Sequence, residues 1–304
     1  MYGYKNPKYC LSFTEIGDPI RLQESGGWII RRRIPDLNCF DAMGPYPFFY
    51  CEDWDRLELD IKRLKEEKEM VSFYIVPEPF GDYDSNKLKK IFKDTFIQYK
   101  KYYVMKLDDP IDKIISKHHK KYIRKSLAKI EIERVNNPLE YLDDWIVLYN
   151  NLKMKHNISN FTSFSKNSFK KQLSIPGTTV FRAFFNNDTI GMLICFEMEN
   201  VVHFHLSASN ELGYKYYASY GIHYYACNYY ESQGKKQLFF GGGAGISTSD
   251  GGGLNFFKKG WSNKLINGYF CGVIIDKNSY NKIMKIKNIK KTKYFPAYRE
   301  GEFD

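Results

Sequence analysis

Residues 178–209 carry the clearest pattern of apolar and polar positions. TTVFRAFFNN (178–187), TIGMLICFEME (189–199) and VVHFHLSAS (201–209) are rich in Val, Ile and Phe. Turn signals at Asn187-Asp188 and at Asn200 separate them, so they predict three strands in an antiparallel meander. Before them, IEIERV (130–135) reads as a strand, and 138–156 and 164–174 as helices. After them, YYASYGIHYYACNYYESQG (216–234) predicts a helix that Gly234 terminates. KQLFF (236–240) then reads as a short buried strand and YFCGVIID (269–276) as the last one. The order is β-α-α-β-β-β-α-β-α-β.

The first half is a looser version of the same alternation, which suggests a duplicated domain. Strands are predicted at 27–34, 70–80 and 98–107. A charged helix at 52–69 places Trp54, Leu57, Leu59, Ile61 and Leu64 at helical spacing. A second helix at 85–96 has Ser85 as its cap. The stretch NCFDAMGPYPFFYC (38–51) contains two prolines and a glycine, which predict irregular structure. A helix over 108–130, started by Pro110, bridges the halves. It carries Lys117, His118, His119, Lys120, Lys121, Arg124, Lys125 and Lys129.

The 304 residues, 43% hydrophobic, suffice for one large domain or two medium ones. No apolar run reaches 18 residues and the first residues lack a signal-peptide core, so neither a membrane span nor secretion is expected and the setting reads as cytoplasmic. Six cysteines lie far apart with no CxxC pair, against a zinc site or disulfide framework. A net charge of +11 points to a polyanionic partner: nucleic acid, a phosphorylated cofactor or an anionic membrane face. An AT-rich composition, heavy in Lys, Asn, Tyr and Ile, is the alternative source of part of the lysine excess. The segment KIMKIKNIKKTK (282–293) reads as a basic tail, either solvated or touching such a membrane peripherally.

GGGAGISTSDGGGLNFFKKGWS (241–262) concentrates glycine ahead of two phenylalanines, two lysines and a tryptophan. No Gly-Lys-Ser or Gly-Lys-Thr is present, which excludes a P-loop, and the third glycine of a dinucleotide fingerprint is missing at Ile246. A linker would stay polar. The pattern instead predicts a strand ending in Gly-Gly-Gly, where backbone can approach a ligand. A short helix packing Leu254, Phe257 and Trp261 follows, with Asp250 near its N-terminus.

HLSA (205–208), the glycine triplet, the following D…L..FK..W and the terminal YFPAYR (294–299) resemble the FemAB-like branch of the GNAT acyltransferase superfamily. FDAMGPYPFF and HHKKYIRKSLAKIEIERV are similar to further motifs of those proteins, so the resemblance covers most of the chain. It implies a mixed α+β fold of two tandem GNAT-like domains, each a mostly antiparallel sheet flanked by helices, here 1–129 and 130–304. It implies transfer of an acyl or aminoacyl group to an amine, often on a cell-envelope precursor. The donor would be acyl-CoA or aminoacyl-tRNA, with no tightly bound cofactor and no metal. The acceptor would be a nucleotide-sugar or lipid-linked envelope precursor. Two features depart from the family: the PYGYGG-type loop is PYPFFYC, and the helical arm of some bridge-forming members has no counterpart.

The resemblance assigns Lys258 to the reacting acyl centre, where an ammonium stabilises an oxyanion or holds the donor's charged end. His203 and His205 lie on one strand face; His205 is a candidate base, the alternative being a half-buried, hydrogen-bonded histidine. Asp250 would hold the incoming amine or cap a helix. Tyr217, Ser219 and Tyr220 start a helix where backbone N–H groups meet a pyrophosphate in GNAT folds. With Gly242, Gly243 and Phe257 they form the expected donor site. Asp41 and Tyr46, by resemblance, and Lys121 and Arg124, as phosphate-binding cations, are acceptor-site candidates. A non-catalytic GNAT-like scaffold and an RNA-binding module, the latter from basic charge and 17% aromatic content, are the competing readings.

Overall fold

The computed structural model describes residues 1–156, 158, 163–243, 252–290 and 292–302. The chain divides into two compact units, one of Met1–Gly3 with Lys101–Ile266, the other of Tyr4–Lys100 with Asn267–Asp304. The first elements are α1 (Pro7–Leu11), β1 (Asp18–Arg21), β2 (Trp28–Arg33), β3 (Phe40–Met43), α2 (Leu57–Glu67), β4 (Ser72–Ile75) and α3 (Ser85–Ile91). Next come β5 (Thr95–Lys106), α4 (Ile111–Ile114), α5 (Lys117–Leu127), β6 (Glu131–Arg134), α6 (Leu142–His156) and α7 (Lys166–Leu173). The meander strands are β7 (Thr178–Phe185), β8 (Asp188–Met198) and β9 (Val201–Ser209). The chain continues through α8 (Glu211–Lys215), α9 (Ala218–Ser232), β10 (Gln237–Gly241), α10 (Gly253–Lys259), β11 (Lys264–Ile274) and α11 (Lys277–Ile286).

In the unit built on residues 101–266 the strand order is β5-β10-β9-β8-β7-β6. All neighbours are antiparallel except β10 and β9, which α9 connects as a parallel pair. The predicted meander forms, with Val180 opposite Ile194 and Ile194 opposite Leu206. Its first turn uses Asn186 and Asn187, both at positive φ, as a two-residue hairpin requires. One sheet face packs on α9 through Phe181, Leu193, Cys195, Val202, Phe204, Leu238 and Phe240 against Ala218, Ile222, Ala226 and Tyr230. A bulge skips His205: Ile194 pairs with Leu206 but Cys195 pairs with Phe204. Alternation with Val202 and Phe204 leaves His203 and His205 on the face away from α9, where the His205 ring meets Phe164 and Phe196.

The second unit orders β1-β2-β3-β4-β11, antiparallel except for β3 with β4. Its core joins Ile29, Ala42, Phe49, Trp54, Leu57, Ile61, Phe73 and Val273. Each unit is thus a mostly antiparallel sheet flanked by helices. The strand β3 corrects the expected irregular loop: its pairing residues precede the first proline at 45, so no ladder hydrogen bond is lost. The expected single helix at 108–130 is two, broken at Ser116, whose hydroxyl accepts from the His119 N–H and caps α5. The expected tail at 282–293 begins inside α11, whose Tyr280 and Ile283 are buried with Ala297 and Tyr298. Among the described residues no helix is long and apolar enough to cross a membrane. The six cysteines are free thiols, five of them buried.

Candidate active site

The apolar run of β10 ends at Gly241, whose φ of +74° strains any L side chain. Lys258, half-buried on α10, donates its ammonium to the Gly242 carbonyl at 2.5 Å. The Nζ also lies 3.2 Å from where a Cβ on Gly241 would stand. Lys259 is exposed. Of two adjacent lysines, then, only Lys258 is directed at the glycine backbone. A Cβ on Gly243 would collide with the Asn255 side chain at 2.5 Å, so glycine lets α10 close on this segment. The structure therefore brings Lys258, Phe257, Gly242 and Gly243 together.

Aromatic rings fix α10 from below. Trp261, fully buried, stacks on Phe240 at 6.2 Å and on the His223 ring at 5.8 Å. Phe257 meets His223 at 5.0 Å and Tyr220 at 5.1 Å. Leu254, expected to pack with them, is 44% exposed. Leu254 shares the helix face of Phe257 but sits in the first turn of α10, while Phe257 and Trp261, the latter just past the helix end, make the ring contacts. Among the described residues no group of three His, Cys, Asp or Glu side chains is placed to hold a metal ion.

The start of α9 borders this site. Tyr217 adopts a left-handed N-cap at φ 57°, and Tyr122 of α5 packs on it at 4.6 Å and on Tyr220 at 5.3 Å. The Ser219 hydroxyl lies 3.5 Å from that of Ser209, and the Ser219 carbonyl accepts from His223 Nδ1 at 2.7 Å. Lys125 sits over the rings of Tyr122 and Tyr217. Lys121 and Arg124 are exposed on the outer face of α5. His119 and His223, which the sequence reading did not assign to the site, both pack against Phe257. No local spacing marks them; they converge only because α5, α9 and α10 meet.

His205 is not brought to Lys258. Its Nε2 lies 3.2 Å from Gln172 Oε1 of α7, and burial, then the neighbouring His203, pushes its pKa down to about 3. His205 is thus a neutral, hydrogen-bonded histidine on the face away from α9. Asp250 lies outside the described residues. Burial likewise pushes His223 down to about 3. Both imidazoles stay neutral when folded but take a proton near pH 6.5 when unfolded. Stability is therefore intact above about pH 6.5 and falls as the pH drops from there toward 3, by up to ~1.4 kcal/mol per pH unit for each histidine. Denaturant melts of the wild type and His205→Gln across that window check this: the substitution is expected to flatten the slope.

Asp41 is fully buried in the second unit. Arg299 grips it bidentately, Nε to Oδ2 at 2.5 Å and Nη2 to Oδ1 at 2.9 Å. Arg32 approaches it at 3.7 Å and pairs with Glu302, which also meets Arg299. Arg32 further donates to the Tyr74 hydroxyl at 2.9 Å. In this two-arginine, two-carboxylate cluster both oxygens of Asp41, an expected acceptor-site residue, are engaged by Arg299. The Tyr46 ring is 37% exposed, and its carbonyl accepts from the Tyr9 hydroxyl.

The fold that carries this site is shared. FemX superposes with a TM-score of 0.68 over 91% of this chain and 93% of its own, at 12% identity. The C-terminal domain of a lysylphosphatidylglycerol synthetase from Agrobacterium fabrum gives 0.61, covering 92% and 90% at 11% identity. L-PGS from Bacillus licheniformis gives 0.59, covering 94% and 97% at 14% identity. The chain shares the fold of FemX and of these synthetase domains. No protein-family model and no curated protein sequence matches it.

Proposed function

We propose that this chain is an N-acyltransferase of FemAB/GNAT type, moving an acyl or aminoacyl group onto an amine of a cell-envelope sugar or peptidoglycan precursor. The observation that carries this reading is the Lys258 ammonium held at the glycine backbone after β10, in a fold common to FemX and the synthetase domain. An ammonium has three donors; with one on Gly242, others can meet the oxygen of a bound acyl carbonyl. In the reaction the amine nitrogen forms the new N–C bond. The C–S bond of an acyl-CoA, or the C–O bond of an aminoacyl ester, breaks. The amine's proton ends on the departing sulfur or oxygen. Lys258 stabilises the negative charge that develops on the carbonyl oxygen between those steps. The acceptor is a nucleotide-sugar or lipid-linked envelope precursor.

One observation favours an aminoacyl-tRNA donor as a second reading. Lys117, Lys121, Arg124 and Lys125 are exposed on α5, as is Lys129 just past its end, and among the described residues none has a carboxylate partner. Such a ridge beside the Tyr122 and Tyr217 rings suits phosphates and bases. Calorimetric titration with acetyl-CoA, longer acyl-CoAs, and charged and uncharged tRNA tests both. Micromolar binding of an acyl-CoA selects the first donor. Preference for charged over uncharged tRNA selects the second. Binding of none by folded protein overturns the transferase reading in favour of a scaffold.

A further inference from the structure

We infer that His119 is a positioning residue that holds the Lys258 helix against the glycine backbone; this rests on the proposed role of Lys258. The N-terminus of α5 meets the C-terminus of α10, where a helix leaves its last carbonyls unsatisfied. The Ser116 N–H donates to the Gly260 carbonyl at 3.0 Å. The Phe257 carbonyl lies 2.8 Å from His119 Nε2. A carbonyl only accepts, so Nε2 carries the hydrogen. Nδ1 is then the acceptor, and the Ser116 hydroxyl, 2.9 Å away, donates to it. The same hydroxyl oxygen accepts from the His119 backbone N–H. Every polar atom of the ring has a partner in one tautomer, which burial at 0% exposure demands.

The ring also occupies the space of an absent side chain. A Cβ on Gly260 would fall 2.0 Å from His119 Cε1 and 2.3 Å from Nδ1. Tyr220, Phe257 and Trp261 close the remaining sides at 5.0–5.5 Å. His119 and Gly260 are therefore one interlock. A helix of seven residues does not hold its own shape in water, so what fixes the Phe257 carbonyl fixes the next residue, Lys258.

The test is the acylation rate of Lys258 by an amine-reactive ester, read by mass spectrometry against exposed Lys259 as internal standard. In the wild type Lys258 is protected. His119→Ala is expected to speed its labelling about tenfold, the size set by one lost net hydrogen bond. His119→Gln, whose carboxamide N–H reaches the same carbonyl, restores protection; the shorter His119→Asn does not. Gly260→Ala mimics His119→Ala, and combining them adds little, as an interlock requires. The 15N spectrum of His119 reports the Nε2–H tautomer. Wild-type protection in folded His119→Ala, or additive effects of the two substitutions, overturns the inference. Should His119→Ala fail to fold, equal labelling in His119→Gln and His119→Asn overturns it instead. Lys258→Ala in a transfer assay separates the two claims: undiminished transfer there sinks the role of Lys258 and leaves the labelling result standing.

Discussion

Lys258→Ala is expected to lower acyl transfer by about 10²–10³-fold while the melting temperature hardly changes. That range is the typical loss when one donor to a developing oxyanion is removed. The ammonium is half-buried and already aligned on the Gly242 carbonyl, so it meets the reacting oxygen with little reorganisation. Lys258→Arg keeps the charge but spreads it over a planar fork that does not fit a point-charge position; it should recover only part of the rate. Lys259→Ala, one residue along and exposed, should stay within about twofold, as surface changes away from such features do. Initial rates with the donor selected by calorimetry provide the check. A fully active Lys258→Ala would move the chemistry elsewhere.

Arg299→Ala is expected to destabilise the unit of residues 4–100 and 267–304 by about 3–5 kcal/mol, the usual cost of stranding a buried charge. Asp41 has no exposed surface, and the guanidinium satisfies both its oxygens. Without it, Asp41 keeps only Arg32, at 3.7 Å, and Glu302 loses one of two cations. Denaturant titration of Arg299→Ala, and of Asp41→Asn as the reciprocal variant, measures this. A loss below about 1 kcal/mol, the level of an exposed pair, would return Asp41 to the pool of ligand-binding groups.

Much of the secondary structure was legible. The meander of β7, β8 and β9 follows from its alternation and two turn signals, because a strand with one packed face repeats every two residues. The helix at α9 followed from its length and Gly234. β3 was hidden because proline and glycine dominate the stretch that contains it, although the pairing residues stop short of them. The break at Ser116 was hidden because the buried positions Ile111, Ile115, His119 and Ile123 keep helical spacing across it.

The candidate site was legible in part. Lys258, Phe257, Gly242 and Gly243 were read from one motif, and they meet because α10 packs back on the end of β10, 16 residues away. His205 and Asp41 were read as chemistry, yet one faces Gln172 and the other is locked by Arg299. A histidine's role depends on what its strand face packs against, and HLSA does not record that α7 brings Gln172 to His205. A carboxylate's availability depends on whether a cation 258 residues away lands on it.

The sequence by itself determined the alternation of elements and the glycine-lined end of β10, since each depends on neighbours within a few residues. Only the tertiary structure decided the rest. It returned residues 267–304 to the first part of the chain, placed Arg299 on Asp41, and brought His119 and His223 around Phe257. Those pairings join residues far apart along the chain. Burial, packing space and partner geometry select them, and no local pattern records those quantities.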